Sequence, residues 1–273
     1  MLMKKTLYWL LSLAITLFFA VFQRLTGPTY PVKGGLILDG GTPVSFRLPT
    51  SCTIAGSDCL IKIKSPVEIK GRVSWRRLNT GEPWMETEMN YRGGILSAQL
   101  PDQPPAGKLE YRVLLEQKKG DLELRAKPVI ARFKGHVPAV ILVPHVLFMF
   151  LFMLFSVRIF ITVFTMDTVI KHAVTFNILF LVLGGFVLGP LTQFYAFGSY
   201  WTGWPYGRDL TDNKTLIMLG FWAAALYSVF KSKKFKPWLL AAFAVTALVY
   251  LVPHSMFGSE LDYNKGRIVT GGK

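Results

Sequence analysis

VPAVILVPHVLFMFLFMLFSV, residues 137 to 157, holds one histidine and no charged side chain. At 1.5 Å per residue such a run reaches across a hydrocarbon core of about 30 Å. Four further apolar runs flank it in the chain: Leu7–Phe22, Val174 to about Phe197, Leu216–Phe230 and Trp238–Val252. The whole 273-residue chain is 51% hydrophobic and 14% aromatic with mean hydropathy +0.37, the composition of a membrane protein. The expected fold is a five-helix transmembrane bundle with an all-β domain inserted between helices one and two.

The inserted domain is read from its periodicity. Residues 31 to 135 carry period-two patterns broken by turn residues. In Val67–Arg76 one face collects Val67, Ile69, Gly71, Val73 and Trp75, and in Leu109–Leu115 it collects Leu109, Tyr111, Val113 and Leu115. Leu60–Lys64 alternates in the same way. Further strands are expected at Val44–Leu48, Trp84–Tyr91, Ile95–Leu100, Leu122–Arg125 and Val129–Phe133, a spacing typical of a sandwich. Cys52 and Cys59, the two cysteines of the chain, enclose a short loop. Their preferred reading is a disulfide worth roughly 2.5 kcal/mol in the chain-entropy picture, over two free thiols or a metal pair.

The stretch LSAQLPDQPPAGKLEYRVLLE, Leu96–Glu116, resembles the segment of bacterial immunoglobulin-like and fibronectin type III-like domains in which a Pro-rich corner feeds a Tyr-containing strand. That resemblance implies a sandwich and no activity. One span, a sandwich, then four spans closed by PHSMFGSELDY, with a TGPTYP entry and a DLTDNK loop, is similar to bacterial inner-membrane proteins to which no activity is assigned. It implies architecture alone. The expected division is a signal-anchor helix (1–27), an extracytoplasmic sandwich (28–136), a four-helix bundle (137–253) with an outer loop at 198–214, and an extracytoplasmic tail (254–273).

Basic residues set the expected orientation. Lys4 and Lys5, then Arg158 and Lys171, then Lys231, Lys233, Lys234 and Lys236 fall at alternate boundaries, which share one side in a five-span chain. That side is the cytoplasm, so the N-terminus is cytoplasmic and the sandwich and C-terminus lie outside a bacterial inner membrane. The formal charge of +15 is dispersed: residues 24 to 137 hold 18 lysines and arginines against 11 acidic residues along alternating strands. A solvated or lipid-facing surface accounts for it, and nucleic acid is not expected as a partner.

Candidate chemistry gathers toward the outer side. His145 lies within the second span, where an ionisable ring marks a candidate site, and Met149 and Met153 follow it on one helix face. Imidazole and thioether suit copper or axial ligation of haem b, with His254 as a second ligand. The simpler reading is a histidine near the interface bonded to a neighbouring carbonyl or water, among apolar fillers. Asp209, Asp212 and Glu260 offer carboxylates for a hard cation; the simpler readings are a helix cap at Asp212 or Asn213 and a solvated tail at Glu260. Tyr200, Trp201, Trp204 and Tyr206 read as an interfacial aromatic belt or the wall of a binding cleft. No phosphate-cradling glycine loop, GxSxG, HExxH or CxxCH occurs, and the expected spans carry no Asp, Glu, Lys or Arg. The functional expectation is a non-enzymatic membrane subunit that docks a membrane or periplasmic protein, with a haem- or copper-binding redox protein as the alternative.

Overall fold

The computed structural model describes residues 2–270 apart from 57, 166–169, 233, 255 and 257. Lys233, one of the lysines used for orientation, therefore lies outside the described residues. The first helix, α1, spans Leu2–Thr26. Eleven strands follow: β1 Val32–Ile37, β2 Pro43–Leu48, β3 Ser51–Thr53, β4 Leu60–Lys64, β5 Gly71–Arg77, β6 Met85–Glu88, β7 Asn90–Arg92, β8 Ile95–Gln99, β9 Lys108–Leu115, β10 Leu122–Glu123 and β11 Val129–Lys134. One sheet runs β1-β2-β4-β8-β7. The other runs β3-β11-β9-β5-β6, with β10 added on β9.

The two sheets enclose one core. Strand β9 alternates without a break, with Leu109, Tyr111, Val113 and Leu115 buried, and meets Val73 of β5 and Val129, Ala131 and Phe133 of β11. Ile61, Ile63, Leu96 and Ala98 close the core from the facing sheet. Tyr111 is fully buried, and its hydroxyl donates to the Pro49 carbonyl at 2.8 Å, which meets the need of a polar tip in an apolar core. Cys52 and Cys59 are joined as a disulfide with Cα atoms 5.0 Å apart.

Two strand expectations are corrected. The strand expected from Val67 begins at Gly71, because Ser65 and Pro66 form a turn in which the Ser65 hydroxyl donates to the Val67 carbonyl at 2.7 Å; Val67 is left 48% exposed. The single strand expected at Trp84–Tyr91 is two strands in different sheets. The chain changes sheet at buried Met89, whose N–H bonds the Gly71 carbonyl at 3.0 Å.

Beyond the sheets the chain forms α2 (Ala139–Thr165) and a long helical rod. That rod comprises α3 (Ile170–Leu181), a π-helical segment at Val182–Leu188, and α4 (Gly189–Phe197). After a loop come α5 (Leu210–Lys231) and α6 (Lys236–Leu251). Three helices, residues 3–26, 139–165 and 170–197, are long and apolar enough to cross a membrane. Of the two remaining expected spans, α6 is shorter, and α5 starts with charged Asp212 and Lys214. Both still belong to one bundle, since Phe152, Leu181, Trp222, Leu239 and Ala242 share a core.

Polar pairs pin that core where apolar packing alone is non-directional. Trp222 Nε1–H donates to Thr246 Oγ1 at 2.9 Å, and Asn177 Nδ2 donates to Ser156 Oγ at 3.1 Å. Arg158, expected at a helix boundary, instead lies inside α2 and is buried, with its guanidinium bonded to Thr162 Oγ1 and set against Tyr8 and Trp9. The expectation that the helices hold no buried cation is thereby corrected, since the apolar pattern continues past Arg158 to Thr165.

The tail is also corrected. Ser259–Asp262 (β12) and Arg267–Thr270 (β13) pair as an antiparallel hairpin. This hairpin is bonded to the sandwich through Leu261 N–H and the Ala106 carbonyl at 3.0 Å and through Lys108 and Glu260 at 2.6 Å. Arg208 N–H, in the outer loop, donates to Thr270 Oγ1 at 3.0 Å. The hairpin thus ties sandwich and helices together.

Candidate functional site

Where the sandwich meets the bundle, a cavity of about 430 Å³ lies among α1, β11, α2, α4, α5 and the segment after α6. That volume is within the range of small-molecule sites. Its apolar part is built by Ala20, Val146, Met149, Phe150, Met153 and Val249. Its ionisable lining residues are His145, His254, Asp209, Asp212, Lys214, Arg132 and Arg24, and Thr16 and Gln23 add polar groups from α1. The two histidines and two of the three carboxylates picked from sequence therefore face one space.

The π-helical segment positions His145. Pro190 has no N–H and its ring crowds the carbonyl four residues back, and a π turn at Val182–Leu188 just ahead of it accommodates both. The Gly184 carbonyl then accepts from Gly189 N–H and lies 2.9 Å from His145 Nδ1. Because a carbonyl only accepts, Nδ1 carries the proton and Nε2 keeps its lone pair. The glycines permit the approach: a Cβ at Gly184 would stand 3.0 Å from Met149 Sδ, and one at Gly185 would stand 2.6 Å from Thr215 Cγ2.

The DLTDNK loop forms the polar wall, with roles different from those expected. The cap of α5 is Asp209, whose Oδ1 accepts from Thr211 N–H at 2.8 Å, because the helix starts at Leu210 rather than beyond Asn213. Asp212 turns back to the loop: its Oδ2 accepts from Thr202 N–H at 2.6 Å and Gly203 N–H at 2.8 Å. Asn213 Oδ1 accepts from Trp204 N–H at 2.7 Å. Lys214 Nζ donates to the Val252 and Pro253 carbonyls at 3.1 and 3.3 Å, a cation at the negative end of α6. Thr202 Oγ1 bonds Asp209 Oδ2 at 2.9 Å and meets Gln193 Nε2 at 2.8 Å and Ser259 Oγ at 3.1 Å.

The histidine–carboxylate part of the metal set read from sequence does not assemble among the described residues. No group of three or more His, Cys, Asp or Glu there has the arrangement to hold an ion. Glu260 is held by Lys108 at 2.6 Å and Asn79 at 3.1 Å, so it is neither a cavity residue nor a solvated tail. Met149 and Met153 line the cavity beside the histidines, Met153 only 1% exposed and Met149 packed against Gly184. His145 and His254 remain together in the cavity. His254 is exposed and lines that space. Partial desolvation in the cavity, then the nearby His145 and Lys214, draw its pKa below the ordinary value, and Asp209 opposes the shift; the ring's exposure to solvent keeps the effect small.

The four aromatics divide into two pairs of roles. Trp201 stacks on Phe186 at 5.9 Å and donates Nε1–H to the Trp204 carbonyl at 3.0 Å, and Tyr200 stacks on Phe194 at 4.3 Å. Trp204 and Tyr206 point outward, 67% and 85% exposed. The aromatic cluster is therefore a scaffold for the loop and an outward face, and none of the four lines the cavity.

Sequence reasoning missed Arg132, Gln193, Thr202 and Ser259. Arg132 sits on the outer face of β11 with its guanidinium 3.7 Å from the Phe197 ring centroid. Its Nε is buried without a hydrogen-bond partner, and burial lowers the guanidinium pKa to about 10, with Asp209 and Glu260 opposing. Its place on the last strand before α2 was the one available signal. For Ser259 the signal was stronger: SELD and RIVT flank an Asn-Lys-Gly turn, and Gly266 takes φ +61°. No family model matches this chain, and no curated protein matches it.

Proposed function

We propose that this chain is a non-enzymatic bacterial inner-membrane binding subunit, with all five helical rods crossing the bilayer and the sandwich and hairpin outside. Its junction cavity receives one small molecule with an apolar body. The observation that carries the reading is the cavity itself, lined by apolar side chains of the helices together with several charged and polar ones. The outward surface of the rods supports lipid immersion, with Leu10, Leu17, Phe18, Val143, Leu147, Phe176, Leu179 and Leu248 all exposed. Tyr8, Trp9 and Arg158 gather at one end of the bundle, and Lys171 lies over Phe230. The cavity and sandwich lie at the other, which fits the alternation of basic boundaries.

Native mass spectrometry of the full-length protein from a mild neutral detergent tests this. One small molecule is expected at one-to-one stoichiometry, displaced by Ala20→Trp, which fills the cavity. A spectrum free of any adduct in both proteins overturns the reading. The immunoglobulin-like sandwich and the exposed Trp204–Tyr206 face are where this subunit docks a membrane or periplasmic protein. Co-purification lost in a Trp204→Ala, Tyr206→Ala double variant checks it.

A haem- or copper-binding role is the second reading, favoured by one observation: His145, with Nε2 available, and His254 line the same cavity. Absorption spectra and elemental analysis decide it. A Soret band or stoichiometric copper lost in His145→Ala supports ligation, and colourless, metal-free protein from cells supplied with both removes it.

A further inference from the structure

We infer that the junction cavity selects an amphiphile with a single anionic head, a phosphate or carboxylate oxyanion on an alkyl chain, held between Arg132 and Lys214. This rests on the cavity being a ligand site.

The argument is one of unmet hydrogen-bonding capacity. Arg132 reaches the cavity from β11 with a buried Nε–H that has no partner, a state that costs free energy unless an acceptor fills it. Among the described residues no carboxylate forms an ion pair with its guanidinium, which lies over the Phe197 ring. Lys214 spends two of its three N–H groups on Val252 and Pro253, leaving one for the cavity.

The two nearby carboxylates are already engaged. Asp212 accepts from Thr202 and Gly203, and Asp209 accepts from Thr211, Thr202 and Ser259. Their charge persists, and Asp209 acts on both cations, but their acceptor oxygens are spent on the loop and do not meet the free N–H groups of Arg132 and Lys214. An arginine fork and an ammonium in one cavity suit an oxyanion, and Arg24 of α1 adds a third cation to the lining. Val146, Phe150 and Val249 in the same lining offer apolar contact, which suits a chain and would gain nothing from a free anion.

The test titrates full-length protein in neutral detergent with palmitoyl-lysophosphatidylglycerol, palmitoyl-lysophosphatidylcholine, palmitate and inorganic phosphate, reading bound fractions by native mass spectrometry. An anionic amphiphile is expected to bind at least tenfold more tightly than the phosphocholine one, and the preferred arm tells phosphate from carboxylate. Arg132→Gln and, separately, Lys214→Met are expected to cut that preference at least fivefold with phosphocholine binding unchanged, and Arg132→Lys to retain part of it. Equal binding of all three amphiphiles, or an unmoved preference in both variants, overturns the anionic head while leaving the cavity as a ligand site. Inorganic phosphate binding as tightly as the anionic amphiphile overturns the chain. Absence of all binding overturns the cavity reading as well.

Discussion

Asp212 works as a staple between helix and loop, and its removal would leave two N–H groups without acceptors in a buried place. Asp212→Ala is expected to cost about 2–4 kcal/mol, and Asp212→Asn, which keeps an acceptor oxygen, markedly less. Thermal denaturation in detergent reads both. His254 carries the pH dependence. Its folded-state pKa is depressed below the unfolded value of about 6.5, so its contribution is complete above that value and is lost as pH falls toward the folded value. Because the ring is exposed, water screens the new charge; melting temperature is expected to fall only modestly as pH drops below about 6.5 toward about 4, with His145, Lys214 and Arg132 opposing the charge and Asp209 offsetting it, and to fall less in His254→Gln. At this scale the sequence showed which residue types matter and misassigned their jobs. Asp209 and Asp212 are both plausible caps in a linear reading, and the choice is made by where the loop's own N–H groups need acceptors.

The π-helical segment makes two adjacent glycines unequal. At Gly185 an added methyl meets Thr215 Cγ2, whose rotamer is fixed by the Thr215 hydroxyl bonding the Thr211 carbonyl at 3.0 Å. At Gly184 it meets the yielding thioether of Met149 and, at 3.1 Å, Phe148 Cβ. Gly185→Ala is expected to destabilise by about 1–3 kcal/mol and Gly184→Ala by less, with Thr215→Ser restoring part of the Gly185→Ala loss by removing the colliding methyl. Melting curves of the three variants and the double variant check the order. Strand alternation in β4 and β9 was legible because burial on one face imposes a period of two. The sheet change at Met89 was not, since both halves keep β periodicity while the partner changes. The π turn left only Pro190 as a trace, because hydrogen-bond register is not written in side-chain pattern.

For the whole molecule, the helices were readable from apolar run lengths and the β region between α1 and α2 from its period of two. The junction was not, because it is made by contacts between distant parts: Gly135 N–H with the Ala196 carbonyl at 2.8 Å, Gln23 with the Tyr250 carbonyl at 3.1 Å, and the hairpin with both halves. Ending the chain before Ser259 is expected to raise amide exchange at Gly135 and along the cavity rim while β5 and β9 keep their protection, measured by hydrogen–deuterium exchange. Ser259 also sets a clock. It follows its partner Thr202 by 57 residues, so at ribosomal speeds of about 5–20 residues per second the cavity wall stays unfinished for roughly 3–11 s after the loop is made. During that interval Thr202 Oγ1 and Asp209 Oδ2 lack the Ser259 hydroxyl, and the loop that lines the cavity is held without it.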